Sequence, residues 1–437
     1  SEMCIRDRAQ CSQNIKVEKN MEIKRDLYLQ RIVDRMHNGM IKVITGIRRS
    51  GKSYLLFTIF KNYLISQNVP EDHIIAIELD MLENKRYRDP YVILDYIKSR
   101  ITDEKDYYIF LDEVQLLEEF EEVLNSLLHI KNADIYVTGS NSKFLSKDII
   151  TEFRGRGDEI HVFPVSFKEY MDVFDGDKYE GWSSYVNFGG LPLTITMNTD
   201  EQRMEYLTGL FEETYIKDII ERNHIEKIQE INDLINILAS GIGSLTNASK
   251  IEATFKSVIQ SDISLNTIRS YIEYLKDAFI VSEANRYDVK GRKYIGTPLK
   301  YYFEDVGLRN ARLGFRQTEE THIMENIIYN ELRVRGFHVD VGVVMKRNRT
   351  KEGVQEKKQL EIDFVANKGS KRYYIQSAFS LPDDEKRMQE KASLINVGDS
   401  FKKIIIVKDI IKPWNDDDGI LTMSIFDFLL NENSLDL

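Results

Sequence analysis

Met40-Ile41-Lys42-Val43-Ile44-Thr45-Gly46-Ile47-Arg48-Arg49-Ser50-Gly51-Lys52-Ser53-Tyr54-Leu55-Leu56-Phe57 is the stretch that decides the fold. Residues 40–45 have the make-up of a short buried strand and residues 54–60 have helical character, so the glycine-rich octet lies between a strand and a helix. In that context Gly46 and Gly51 let the backbone turn with its amides facing inward, and the helix N-terminus adds the positive end of its dipole. The octet therefore predicts a phosphate cradle formed by Gly46, Ile47, Arg48, Arg49, Ser50, Gly51, Lys52 and Ser53. Lys52 is expected to reach the β- and γ-phosphates and Ser53 to ligate magnesium, which makes MgATP the expected ligand.

Such a loop needs a second carboxylate at the end of a neighbouring strand. Tyr107-Tyr108-Ile109-Phe110-Leu111-Asp112-Glu113 supplies it: a buried central strand from whose carboxyl end Asp112 emerges, where open parallel sheets gather their ligands. Asp112 is expected to hold the metal and Glu113 to act as general base toward the attacking water. A further strand is expected at His73–Leu79, and Ala133–Val137 forms another that ends in small polar residues. Of these, Thr138, Ser140 and Asn141 are candidates for placing the lytic water.

The 437 residues exceed one ordinary core, and an allowance of about 100–200 residues per domain predicts two to four domains. With 42% hydrophobic and 30% charged residues, the chain has apolar material for cores and too much charge for a membrane or fibrous class. Its longest apolar run, Phe401 to Ile411, is broken by Lys402, Lys403 and Lys408, so no membrane span is expected. The net charge of -11 argues against coating nucleic acid through bulk electrostatics and leaves room for a local basic patch. Both cysteines, Cys4 and Cys11, lie in the first twenty residues, so the body of the chain has neither a disulfide framework nor a thiolate zinc site, which fits a reducing cytoplasm. Residues 1–20 lack periodicity and a secretory apolar core; they are expected to be an unstructured, non-native leader, with Met21 as the natural start.

The order of Gly46–Ser53, then Ile109-Phe110-Leu111-Asp112-Glu113-Val114-Gln115, Val137-Thr138-Gly139-Ser140-Asn141-Ser142, Arg154-Gly155-Arg156 and Phe163-Pro164-Val165-Ser166-Phe167-Lys168-Glu169-Tyr170 resembles the prokaryotic AAA-type ATPases that carry a C-terminal domain of unknown function, family 4143. The match covers nearly everything after Met21. The resemblance implies that Arg156 is an arginine finger acting in cis or from a neighbouring subunit, with Arg154 as its competitor. Phe188-Gly189-Gly190-Leu191-Pro192-Leu193 is similar to the Gly-x-Pro element of signal-transduction ATPases, which implies that Pro192 lies against the adenine, although two glycines and a proline also simply make a turn. No second sensor arginine stands out in the helical stretch that follows.

Residues 201–276 have helical spacing, and helix, turn and helix at Ser249–Lys256 and Leu265–Ile272, followed by a strand pair over residues 280–294, predict a winged helix. Asn266, Thr267 and Arg269 on its second helix and Arg286, Lys290, Arg292 and Lys293 on its wing are candidates for contacting DNA, although winged helices also bind proteins. From about Lys300 onward, one helix and several strands resemble the restriction-endonuclease-like fold. Glu325 and Asp363 match its helix and strand acids, but the following position reads Gln376-Ser377-Ala378 where the nucleases carry Glu-x-Lys. A neutral amide is a weaker ligand for a hard cation and alanine carries no charge, so the expectation is a fold that has lost cleavage unless Lys368 or Lys371 substitutes.

The predicted architecture is α/β: a leader (1–20), a P-loop AAA-type core on a parallel sheet (21–175), a helical lid (176–230), a winged helix (231–298) and an α+β, degenerate nuclease-like domain (299–437). The expected function is an ATP hydrolase that drives or times movement of the tail; a nucleotide-binding scaffold or regulatory DNA-binding protein and an ATP-gated nuclease are the alternatives. Expected partners are ATP, DNA through the wing, and a protein or a second copy of the chain.

Overall fold

The computed structural model describes residues 22–139, 155–316, 319–349, 355–409 and 411–437. The leader with its two cysteines, Ser140, Asn141 and Arg154 lie outside the described residues.

After helix α1 (Asp26–Val33) come strands β1 (Ile41–Thr45), β2 (Ile74–Glu78), β3 (Tyr107–Asp112), β4 (Ala133–Thr138) and β5 (Gly157–His161). They form one parallel sheet in the order β2-β3-β4-β1-β5. Helix α2 (residues 52–66, with a π-helical segment at Leu55–Phe60), α3 (Pro90–Arg100) and α4 (Phe120–Leu127) supply crossovers between the strands. Every residue of β1 and β3 is buried, as expected of central strands covered on both faces; β3 accordingly reads as an apolar run up to Asp112, and in β1 the buried Lys42 is paired with Asp134. Placing β4 between β1 and β3 fixes the site: the loop after β1 and the acid at the end of β3 flank Thr138 at the end of β4.

Next come α5 (Phe167–Met171), α6 (Lys178–Phe188), the short α7 (Pro192–Ile195) and the long lid helix α8, residues 200–223 with a π-helical segment at Phe211–Ile216. Capping boxes start α5 at Ser166/Glu169 and α6 at Asp177/Glu180, so each of these breaks is written into the sequence. Three helices follow, α9 (Ile228–Ser240), α10 (residues 248–259) and α11 (Leu265–Asp277), and then the hairpin β6 (Val281–Asp288) and β7 (Lys293–Phe303). The remainder comprises α12 (Val306–Arg312), α13 (Glu320–Val334), β8 (His338–Arg349), β9 (Gln355–Lys368), β10 (Lys371–Ala378), α14 (Asp384–Ile395), β11 (Lys402–Val407), β12 (Trp414–Asn415), β13 (Ile420–Ser424) and α15 (Ile425–Leu430).

The hairpin does not stand apart as a wing. β6 pairs in parallel with β8, so β6 and β7 form the edge of an eight-stranded mixed sheet of order β12-β13-β11-β10-β9-β8-β6-β7. The boundary expected between residues 298 and 299 therefore falls inside β7. One hydrophobic core runs from Ile47 and Phe167 through the lid and the three-helix region into the mixed sheet, so the tail packs as a unit with the lid. Among the described residues no helix is long and apolar enough to cross a membrane.

Candidate functional site

Gly46 has φ +136° and Gly51 φ +94°, and a Cβ on Gly46 would sit 2.2 Å from the Val162 carbonyl oxygen of the strand-β5 exit, so the loop can close only with glycine there. The Lys52 ammonium is buried and donates to the Gly46 and Ile47 carbonyls at 2.9 and 3.0 Å. Burial lowers its pKa, with Glu113 and Asp112 opposing. The Ser53 hydroxyl donates to Asp112 Oδ1 at 3.0 Å, which joins the loop after β1 to the end of β3.

Thr138 completes this junction. Its buried hydroxyl donates to Asp112 Oδ1 and accepts from the Glu113 amide at 3.1 Å, so it positions the acid pair instead of facing water. Burial raises the Asp112 pKa, while the Thr138 and Ser53 hydroxyls pull it back down. Glu113 holds φ +49° and accepts a hydrogen bond from the Gln115 side-chain amide. The Ser53 and Asp112 oxygens are a hard donor set on one side of the loop, which suits magnesium.

A cavity of about 810 Å³ opens over these groups, and Arg48, Lys52, Ser53, Glu113, Pro192 and Arg222 are in its wall. Pro192 thus faces the predicted nucleotide space, with its Cγ 3.8 Å from where a Gly51 Cβ would stand. Arg222, on the lid helix and bonded to Asp218 at 2.9 Å, also faces this cavity, a position that the sequence did not single out. Its signal was weak, because Arg222 lies among other charged residues of a polar helix. Arg156 is elsewhere. Its carbonyl accepts from the Ile41 amide at the start of β1, so it lies at the N-terminal edge of the sheet, opposite the loop. At about 3.3 Å per strand residue, the length of β1 separates it from the phosphate cradle, so the structure does not bring it together with the cradle of the same chain.

The second predicted site comes together only in part. Glu325 on α13 and Asp363 on β9 do meet, but around the ammonium of Lys300 from β7, at 2.9 and 3.4 Å; Glu361 contributes a third carboxylate at 2.9 Å. Tyr302 donates to Glu325 at 2.6 Å and the Ser377 amide to Asp363 at 2.9 Å. Gln376 is turned away, its amide oxygen 3.4 Å from the Ser393 hydroxyl. Neither proposed substitute reaches the cluster: Lys368 donates to the Arg335 carbonyl and Lys371 pairs with Asp436. Burial opposes charge on Lys300, but Glu325, Asp363 and Glu361 overcome it and raise its pKa. Burial likewise drives the Glu325 pKa upward, against the pull of Lys300. An ammonium surrounded by carboxylates fills the place a divalent cation would take, so the residues present do not fit a metal there. Sequence reading missed Lys300 and Glu361, yet each left a trace: Lys300 is a lone cation in the run Leu299-Lys300-Tyr301-Tyr302-Phe303, and Glu361 stands two residues before Asp363 on one strand face.

Comparison with known proteins agrees with the core. Residues 38–171 match an AAA domain model, and residues 179–319 match a domain of unknown function, DUF8612, which is the unknown-function family shown in place of family 4143. An uncharacterized protein of Haemophilus influenzae is 31% identical over 93% of this chain and 98% of its own length. One from Methanocaldococcus jannaschii is 29% identical over 87% of this chain and 82% of its own. Among solved structures, the Aeropyrum pernix Orc1 protein in complex with DNA aligns with 67% of this chain and 92% of that one, at 13% identity and a TM-score of 0.28. With its phosphate loop, acid pair and five-stranded parallel sheet, the chain belongs to the family of its Haemophilus relative, a family built on an AAA-type P-loop domain.

Proposed function

We propose that this chain binds and hydrolyses MgATP and uses the cycle to move or time its fused tail. The observation that carries the reading is the hydrogen bond joining Ser53 of the loop to Asp112 of β3, with Glu113 beside it in the same cavity. In this reading Ser53 and Asp112 hold magnesium, whose charge would offset that of the phosphates. Lys52 exchanges its loop carbonyls for phosphate oxygens, and Glu113 takes the proton of the attacking water. Arg222 stabilises phosphate charge from the lid, and Pro192 packs on the base. Arg156 acts as a finger only from a second copy of the chain.

The test is direct. Lys52→Ala abolishes ATP binding, whereas Glu113→Gln binds ATP and loses turnover; a Glu113→Gln protein that hydrolyses at the parental rate removes Glu113 as base. A rate that rises with protein concentration supports the finger in trans.

The helices α9 to α11 support a winged-helix reading in which the β6–β7 hairpin, though built into the mixed sheet, takes the wing's place, with DNA as the partner. Asn266, Arg269, Lys290, Arg292 and Lys293 are exposed, whereas Arg286 is buried and drops out of the contact set. Lys300 at the centre of the acidic cluster supports a nuclease-like domain without cleavage. Magnesium-dependent DNA cutting in a single-turnover assay, abolished by Asp363→Ala, overturns that part.

A further inference from the structure

The turn from β6 into β7 carries side chains that a turn alone does not call for. Lys290, Arg292 and Lys293 are exposed, and among the described residues none of the three pairs with an acid. Arg292 holds φ +50°, a backbone conformation in which glycine or asparagine sits with less strain, so an arginine is kept there against local preference. The same hairpin begins a row of π surfaces. Tyr287 and Tyr294 are register partners on β6 and β7, and their ring centroids lie 5.5 Å apart. The Arg372 guanidinium from β10 lies over the Tyr287 ring at 5.4 Å and over the ring of Phe401, just before β11, at 5.4 Å.

On this face of the mixed sheet, Leu394 and Val397 at the end of α14 pack with Ile362, Val365, Tyr374 and Ile405. The row lies beside that cover and its ends stay open: Tyr294 is 60% and Phe401 42% exposed. An aromatic pair across two strands stabilises a sheet by itself, and a guanidinium over a ring adds to it. Packing leaves the charge unexplained. Arg372 Nε donates to Asn367 Oδ1 at 2.7 Å, but among the described residues no carboxylate pairs with the guanidinium. The acids bordering the row are held by the fold: Asp288 accepts from the Gly291 amide at 2.9 Å, Asp340 from the Tyr294 hydroxyl at 3.3 Å and Asp399 from the Tyr374 hydroxyl at 2.7 Å. A chain of net charge -11 thus keeps four cations without acid partners beside open ring faces.

We propose that Tyr294, Tyr287, Arg372 and Phe401 form a stacking platform for the unpaired bases of a single-stranded nucleic acid, with Lys290, Arg292 and Lys293 on its phosphates. Every base has a π-face, so rings and a guanidinium hold a strand whatever its sequence, whereas a duplex keeps those faces stacked inside itself. A row of this length takes about two or three bases. The inference rests on the DNA reading above, uses its three hairpin cations, and changes the form of nucleic acid from duplex to single strand. An apolar protein segment or a lipid surface calls for aliphatic side chains, and the row has none.

The full-length protein is titrated into fluorescent twelve-nucleotide oligo-dT, into oligo-U of the same length and into a 24-base-pair DNA duplex, from 0.05 to 0.3 M salt, with anisotropy as the readout. The platform variant carries Tyr294→Ala and Phe401→Ala, and the turn variant carries Lys290→Gln, Arg292→Gln and Lys293→Gln. Tyr294→Phe keeps the ring and drops the hydroxyl bond to Asp340. Circular dichroism with thermal melting checks that each variant folds. The platform variant should lose about 10- to 100-fold in affinity for the single strand, with its log–log salt slope unchanged. The turn variant should lower that slope by about 2, and Tyr294→Phe should bind as the parent does. Binding of either oligonucleotide with this pattern supports the platform, and the preferred one identifies the sugar. A folded platform variant that binds the single strand like the parent overturns the platform, and loss of binding in Tyr294→Phe overturns stacking as its basis. A parent that binds the duplex and not the single strand overturns the platform and keeps the DNA reading. A parent that binds neither overturns both and leaves the ATP reading to the Glu113→Gln test.

Discussion

Replacing Lys300 by methionine tests the carboxylate cluster most severely, because it removes the ammonium that, among the described residues, pairs with all three of Glu325, Glu361 and Asp363, and keeps most of the side chain's length. At contacts of 2.9 to 3.4 Å and an effective dielectric of about 20, each ion contact is worth about 5 kcal/mol before desolvation. Removing the ammonium also removes its own burial cost of several kcal/mol, and Glu361, 35% exposed, is well screened. What remains is Glu325 and Asp363 facing each other without a counter-charge, a net loss of about 3–5 kcal/mol at pH 8. For a unit the size of the mixed-sheet domain this is about 6–20 °C in Tm. The sign with pH is fixed. Burial already raises the Glu325 pKa and Lys300 opposes that rise, so in Lys300→Met the folded state holds the Glu325 proton more tightly still. The deficit is then small near pH 5 and grows as pH rises toward 8. Manganese should restore part of the lost Tm in Lys300→Met, with three carboxylates free to take it, and should restore none in Lys300→Met/Glu325→Gln. Differential scanning fluorimetry over pH 5 to 8, with chelator or manganese, reads all of this. A Lys300→Met protein as stable as the parent at pH 8 in chelator refutes the reasoning.

Gly46→Ala places a Cβ 2.2 Å from the Val162 carbonyl oxygen, so the variant should bind no fluorescent ATP analogue and melt earlier; parental affinity would show that the loop can move aside. Arg222→Ala should weaken ATP binding by about tenfold, the worth of one charge-assisted phosphate contact, read as Kd by anisotropy. Burial raises the Asp305 pKa from 3.8 to about 6, so its contribution is most favourable below 3.8 and is lost as pH rises through about 6, a swing of about 3 kcal/mol. Asp305→Asn should flatten that part of the stability profile, and an unchanged difference curve between pH 4 and 7 removes Asp305 as its source.

The grouping of the phosphate loop with Asp112 was legible because its signals are local. Gly46, Gly51, Lys52 and Ser53 lie within one turn, and Asp112 follows five apolar or aromatic residues that are all buried. The three-helix and hairpin order was also legible, from spacing alone. Sequence could not show that the hairpin joins a larger sheet, because the β6–β8 pairing spans about fifty residues and leaves no periodic mark. Lys300 was hidden for the same reason: its partners lie on α13 and β9, and only a lone cation in an apolar strand hinted that charge was being buried. Thr138 was noticed for its polarity, but its role depends on β4 lying between β1 and β3, a strand order that the sequence does not state.

Strand β7 ties these features to one another. It starts at Lys293 in the basic hairpin, carries Lys300 and Tyr302 into the acidic cluster, and ends at Phe303, about 34 Å along. The next two residues return to the nucleotide site from two sides. Glu304 accepts from His161 at 2.7 Å, and His161 is 3.0 Å from the Thr45 hydroxyl, one residue before Gly46. Asp305 accepts from the Gly190 amide at 2.7 Å, two residues before Pro192, and a Cβ on Gly189 would collide with its carboxylate at 2.3 Å. From the lid, the Tyr215 hydroxyl donates to the Arg48 carbonyl at 2.6 Å. Any change in the loop at Thr45–Arg48 or in the turn before Pro192 must therefore strain a bond to the tail or move the tail with it. Because the core is continuous from Ile47 to the mixed sheet, the second course costs less than opening a cavity within it. In the proposed reading, a strand anchored beside the phosphate loop is a physical route by which a change at that loop would reach the mixed-sheet domain.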